Sequence, residues 1–183
     1  VHAFTNATIV MSPGEVIEGA TLVVRDGTIE AVGRRVNPPA DARIWDMTGH
    51  TLTPAFIDPY TNIGMQNPRE ELERGNRSWN VQLRAQLTAT GEYETEDDGS
   101  EELRNQGFGA ALSVPPLGIF KGETAVISLG SGDISHRVVK PNVAQAVSLR
   151  RSWDLGYGYP TSAMGGIAFI RQTLMDADWY ERA

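Results

Sequence analysis

The stretch that most restricts the fold starts at Ala55. Ala55, Phe56 and Ile57 are consecutive apolar residues, as in a strand buried on both faces, and Asp58 to Asn62 turn it polar at its C-terminal end. Further along, Ser100 stands as a helix N-cap, with Glu101 and Glu102 in the electropositive first turn. "EELRNQ" reads as a short helix that Gly107 ends, and "FGAALSVP" reads as a second buried strand. Strand, helix, strand in that order needs a crossover, so the pattern predicts a parallel sheet in an α/β fold.

The residues before this stretch read as short strands and tight turns. "NATIV" predicts a strand over 6–10, and Pro13 with Gly14 marks a turn. Asp26 and Gly27 suit a primed turn between strands at 22–25 and 28–32. "NPPADA" breaks the pattern; "RIWDMTGHTLTP" then gives a strand, a turn at Thr48 and Gly49, and an approach strand. This composition suits a small β-sandwich layer over 1–54, followed by an α/β region over 55–183.

In the second region "ETAVISLG" and "HRVVK" each read as one strand, and "PNVAQAVSLR" as a further apolar stretch. From Ser162 onward the pattern is helical, with Ile167, Ile170 and Leu174 on one face. The run "GEYETEDDGSEE" carries seven acids and no base, and reads as a solvated loop leading into a helix.

Composition excludes several classes. A net charge of −7 makes a nucleic-acid backbone or an anionic membrane surface an unsuitable partner. No apolar run approaches the roughly 18 residues that a membrane helix needs. The absence of cysteine excludes disulfides and thiolate metal sites. Val1 opens the chain without an initiator Met or a signal pattern, and the helical pattern runs to Ala183 without a stop signal. Both ends read as boundaries of an excised or processed piece.

Several other constellations have simpler readings. His2, His50 and His136 read as exposed turn or terminal residues. "GSGDIS" and "GYGYP" lack the Lys-Ser/Thr ending of a phosphate loop, and read as tight turns. Asp133, Ser135 and His136 are too close in sequence to adopt a catalytic-triad geometry. Trp153, Tyr157 and Tyr159, beside Arg150 and Arg151, form a candidate pocket or interface.

The order of parts, "RDGTIEAVG", then "TGHTLTPAFID", then "LRNQGFGAAL", resembles the N-terminal portion of the amidohydrolase superfamily. The resemblance covers about residues 4–64 closely and 100–114 less so. It implies a composite β-sandwich followed by the first part of a TIM-like (β/α)8 barrel, which would be incomplete in this chain. It also implies a metal-dependent hydrolase of carbon–nitrogen bonds other than peptide bonds. The family's first barrel strand normally ends in His-x-His, which binds a divalent metal. Here those positions hold Tyr60 and Asn62, with Asp58 two residues earlier on the strand. Phenols ionise near pH 10, and a neutral amide suits calcium better than zinc. Asp58, Tyr60 and Asn62 therefore read as a vestigial metal site, and this portion as a non-catalytic one that needs no cofactor.

Two alternatives stay open on sequence. One is a working zinc- or other divalent-metal-dependent hydrolase using Asp58 and Asn62. The other is a binding module contacting ligand through Tyr60, Asn62 and Trp153. The expected partner is the remainder of a longer chain, or a second copy that completes sandwich and barrel, so an oligomer is expected. A subgroup of the family implies a periplasmic or exported protein.

Overall fold

The computed structural model describes residues 1–65, 78–94, 99–156 and 158–183. It divides into two compact units, Val1–Ala55 and Phe56–Ala183.

The first unit is built on a long strand β1 (His2–Ser12), which pairs antiparallel with β2 (Glu15–Arg25). β3 (Thr28–Gly33) continues the meander, and β4 (Arg43–Asp46) and β5 (Thr51–Leu52) both pair parallel with β1. The hairpin between β2 and β3 forms as the sequence predicts. Asp26 and Gly27 have φ of 48° and 76°, both positive as a primed turn requires, and Arg25 faces Thr28 across it. The predicted strand at 6–10 lies inside the longer β1, and Asn6 sits in it at φ 59°. Ala7, Ile9 and Ala20 are buried, with Ile17, Leu22, Val32, Met47 and Leu52 packed on them. A second facing layer is not seen among the described residues of this unit, because β4 and β5 extend the edge of the same sheet.

A carboxylate organises the end of β4. Asp46 Oδ1 accepts from Thr48 Oγ1 at 2.7 Å, from the Thr48 amide at 3.1 Å and from Asn6 Nδ2 at 3.1 Å. The Thr48 hydroxyl, then Asn6, hold this carboxyl below the usual carboxylate range. A lowered folded-state value means the contribution is complete above the unfolded value of about 3.9, and is lost as pH falls through the folded value. An NMR titration of Asp46 should give a midpoint below that of a model peptide. Thr48→Ala should move it back up; an unmoved midpoint would refute the assignment of cause.

In the second unit β6 (Phe56–Thr61), helix α1 (Ser100–Asn105) and β7 (Phe108–Ser113) form the expected unit, with β6 and β7 parallel. β8 (Phe120–Glu123), β9 (Ala125–Ser128), α2 (Ile134–Arg137), β10 (Val138–Lys140) and β11 (Gln145–Val147) follow. A 3-10 turn at Trp153–Leu155 leads to α3 (Ala163–Arg182). The main sheet runs β10-β9-β7-β6, and β8 pairs with β11 in a second, two-stranded sheet. Ala111, Ala125, Ile127 and Leu129 lie in one buried cluster with Ile63, Ala89 and Tyr93.

Six expectations need correction. β6 is an edge strand, with Phe56 and Ile57 66% and 65% exposed, whereas its composition predicted burial on both faces. β9 returns antiparallel to β7, so among the described residues the parallel series stops at two strands. The physical reason is the connection. Pro115, Pro116 and β8 occupy it, leaving no crossover helix. "ETAVISLG" is not one strand. Thr124 divides it, donating to the Ala144 carbonyl at 2.9 Å and accepting from the Val143 amide at 2.8 Å. His136 and Arg137 belong to α2 rather than to a strand. Gly99, at φ 78°, is the N-cap of α1, and Ser100 is buried in the first turn, where its Oγ accepts from Arg137 at 2.5 Å. α3 begins where the pattern predicts, and Ser162 caps it, with Oγ accepting from the Gly165 amide at 3.1 Å. The face it buries, however, is that of Gly166 and Phe169, while Ile167 and Leu174 are exposed.

Candidate functional site

The polar end of β6 is held by its neighbour strand. The Val114 amide donates to Thr61 O at 2.8 Å, and Ser113 Oγ donates to Ile63 O at 2.7 Å. Asn62 Nδ2 donates to Val114 O at 2.6 Å, so the side chain at this position ties the end of β6 to the end of β7. Asp58 turns inward along its own strand, and its Oδ1 accepts from the Tyr60 amide at 3.0 Å. Tyr60 is 58% exposed.

The register adds a second point. Asp58 pairs with Ala111 and Thr61 with Ser113, so β6 carries one extra residue between them. A bulge of this kind breaks the alternation of side chains along a strand. The expectation that Asp58, Tyr60 and Asn62 share one face rested on that alternation, and here it is interrupted at Pro59 and Tyr60. A zinc shell takes imidazole, thiolate or carboxylate donors. A phenol, an amide bonded to a backbone carbonyl and a carboxylate bonded to a backbone amide do not fit that shell.

The other predicted positions are dispersed. Trp153 is exposed, with the Arg151 guanidinium 4.4 Å above its ring. Tyr159 packs on α3: its hydroxyl donates to Gly165 O at 3.1 Å, and its ring centroid is 6.2 Å from that of Phe169. Tyr157 lies outside the described residues, as do 66–77, which hold most of the stretch "NPREELERGNRSWN", and 95–98 of the acidic run. His2 belongs to the first unit's sheet, its Nδ1 accepting from Trp45 Nε1 at 3.1 Å, and all three histidines are exposed. Among the described residues no three His, Asp or Glu side chains gather as a metal would need.

Two organising residues left no mark in the sequence pattern. Gln82 is fully buried, and its amide makes two 2.9 Å bonds with the backbone of Ser152. Arg137 is buried and donates to Ser128 O at 3.0 Å and to the Tyr93 hydroxyl at 3.0 Å. Both act across long sequence separations, so no local spacing announces them.

No protein-family profile matches the chain. Over 67 residues it is 37% identical to an imidazolonepropionase of Symbiobacterium thermophilum, covering 33% of this chain and 16% of that protein. Over 63 residues it is 35% identical to a dihydroorotase of Anaeromyxobacter dehalogenans, covering 34% of this chain and 14% of that protein. Its whole length superposes on 49% of an amidohydrolase from Thermotoga maritima, with a TM-score of 0.75 and 22% identity. The chain resembles the amidohydrolase superfamily in sequence over about a third of its length and in fold over its whole length. It thus spans half the length of the amidohydrolase whose fold it shares, and 16% or less of these two curated relatives. In the amidohydrolase frame, β6 is the strand whose end the resemblance assigns to the metal pair. That end is where Asn62 and Tyr60 stand.

Proposed function

We propose that this chain is an amidohydrolase-like portion of a hydrolase acting on carbon–nitrogen bonds other than peptide bonds, and that the portion itself is non-catalytic. The observation that carries this reading is the hydrogen bond from Asn62 to the Val114 carbonyl, 2.6 Å long, at the position of the family's second histidine. A metal ligand has been replaced there by a strand clamp. In the same reading the exposed edge of β6 is covered by the remainder of a longer chain or by a second copy, which would complete sandwich and barrel. A strand apolar on both faces is an aggregation hazard unless another element covers it.

Elemental analysis after extensive dialysis tests the proposal. The expected result is no stoichiometric zinc, manganese or iron. Asn62→Ala is expected to cost about 1–3 kcal/mol of stability, because the buried Val114 carbonyl loses its partner. Near-stoichiometric metal that disappears in Asp58→Ala or Asn62→Ala would overturn the proposal, and would favour a working site with altered ligands.

A further inference from the structure

The outer face of α3 leaves an apolar stripe open to solvent at Ile167, Leu174 and Met175, with half-buried Ile170 at its inner margin. Ile167, Leu174 and Met175 are 56%, 57% and 55% exposed, and with Leu149 and Ile170 they line a groove of about 420 Å³. Positions 167, 170, 171, 174 and 178 follow helical spacing, so the stripe runs along one side of a helix of 20 residues. Two charges of opposite sign, Arg171 and Asp178, also line this groove.

Their placement is symmetric. In an antiparallel pair of identical helices related by a two-fold axis, each position faces one whose number is fixed by where the axis passes. An axis between Leu174 and Met175 sets Arg171 opposite Asp178 of the second copy, and Asp178 opposite its Arg171. The same axis sets Leu174 against Met175, both exposed. Apolar contacts thus fall at the centre and complementary charges beside them, as a self-complementary two-fold interface requires. A parallel pairing would instead set Arg171 against Arg171. We propose that this stripe is a homodimer surface, with α3 packed antiparallel against α3 of a second copy.

Asp178 already pairs with Arg182 one turn later in its own helix. A carboxylate has acceptor sites for both cations, so the intrahelical pair is compatible with the intermolecular one. The surface is separate from the β6 edge and does not depend on the reading of Tyr60 and Asn62.

Sedimentation equilibrium of the 183-residue chain over a concentration series is the test. The expected result is a reversible dimer. Arg171→Glu and Asp178→Lys should each weaken it by about tenfold, because symmetry makes every charge change count twice. Combining them restores opposite charges across the axis, and should return the dimer to within about threefold of the starting affinity. Leu174→Lys should give a monomer with unchanged helix content and, compared at concentrations where the parent chain is also monomeric, an unchanged melting temperature, since Leu174 lies outside the core. Three results would each overturn the proposal: a monomer at every concentration, a dimer indifferent to Leu174→Lys, or a double charge swap no tighter than the single changes. The second would place association elsewhere, such as the β6 edge.

Discussion

Gly64→Val is expected to unfold the second unit, or to lower its stability by about 4 kcal/mol or more. Gly64 has φ +69°, where a side chain costs about 1–2 kcal/mol before any contact is considered. An added Cβ would also lie 2.3 Å from the ring of Tyr93, inside any tolerable contact. That ring cannot simply move away. It is buried in the cluster with Ile63, Ala111 and Ile127, and its hydroxyl accepts from Arg137 at 3.0 Å. Displacing it would open the core and remove a partner of a buried guanidinium. Urea denaturation measures the effect. Gly99→Ala is the control, because Gly99 has φ +78° with none of the described residues within 4 Å of the added carbon. Gly99→Ala should show only the conformational cost, about 1–2 kcal/mol. Equal losses at the two positions would mean that the Tyr93 contact contributes nothing.

The same stretch shows what the sequence discloses and what it withholds. The turn at Asp26 and Gly27, the helix start at Ser162 and the β6-α1-β7 crossover were legible because each rests on neighbours in the chain. Two residues need positive φ, one hydroxyl meets an amide three residues on, and an apolar run follows a helix stop. Strand pairing over longer separations was not legible. Nothing local says that β4 joins β1 in parallel, or that β9 turns back along β7. The resemblance assigns Tyr60 and Asn62 to the positions of a ligand pair, but the geometry around them was not legible. The bulge between Asp58 and Thr61 and the bond from Asn62 to Val114 depend on register with a strand that lies beyond a long insertion. α3 was misread in its facing because it is apolar on two sides. A period of 3.6 finds both stripes, and only packing decides which is inside.

Phe169→Ala is expected to cost about 3–5 kcal/mol. Phe169 is fully buried, with ring centroids of Trp79, Tyr159 and Phe120 at 5.2, 6.2 and 6.4 Å. Ile119 and Phe120 share its cluster, so this one ring seats α3 on the rest of the unit. One turn away, the backbone at Gly166 lies so close to the Leu149 carbonyl that an added carbon would stand 2.8 Å from it. The helix is therefore held by close approach at one point and by aromatic filling at the next. Removing the ring leaves a cavity that its stiff neighbours cannot close, whereas Phe169→Leu should cost less by retaining part of the filling. Thermal or urea unfolding followed by Trp fluorescence reads the loss; a change below about 1 kcal/mol for Phe169→Ala would mean that α3 is seated by other contacts. The consequence extends to the outer stripe. Leu149 lines that groove from outside the helix, so an α3 that lifts from its seat also loses the shape of the dimer surface. Phe169→Ala should therefore lose stability and self-association together, while Leu174→Lys loses self-association alone. Inner and outer faces of one helix would then be separable by two substitutions five residues apart.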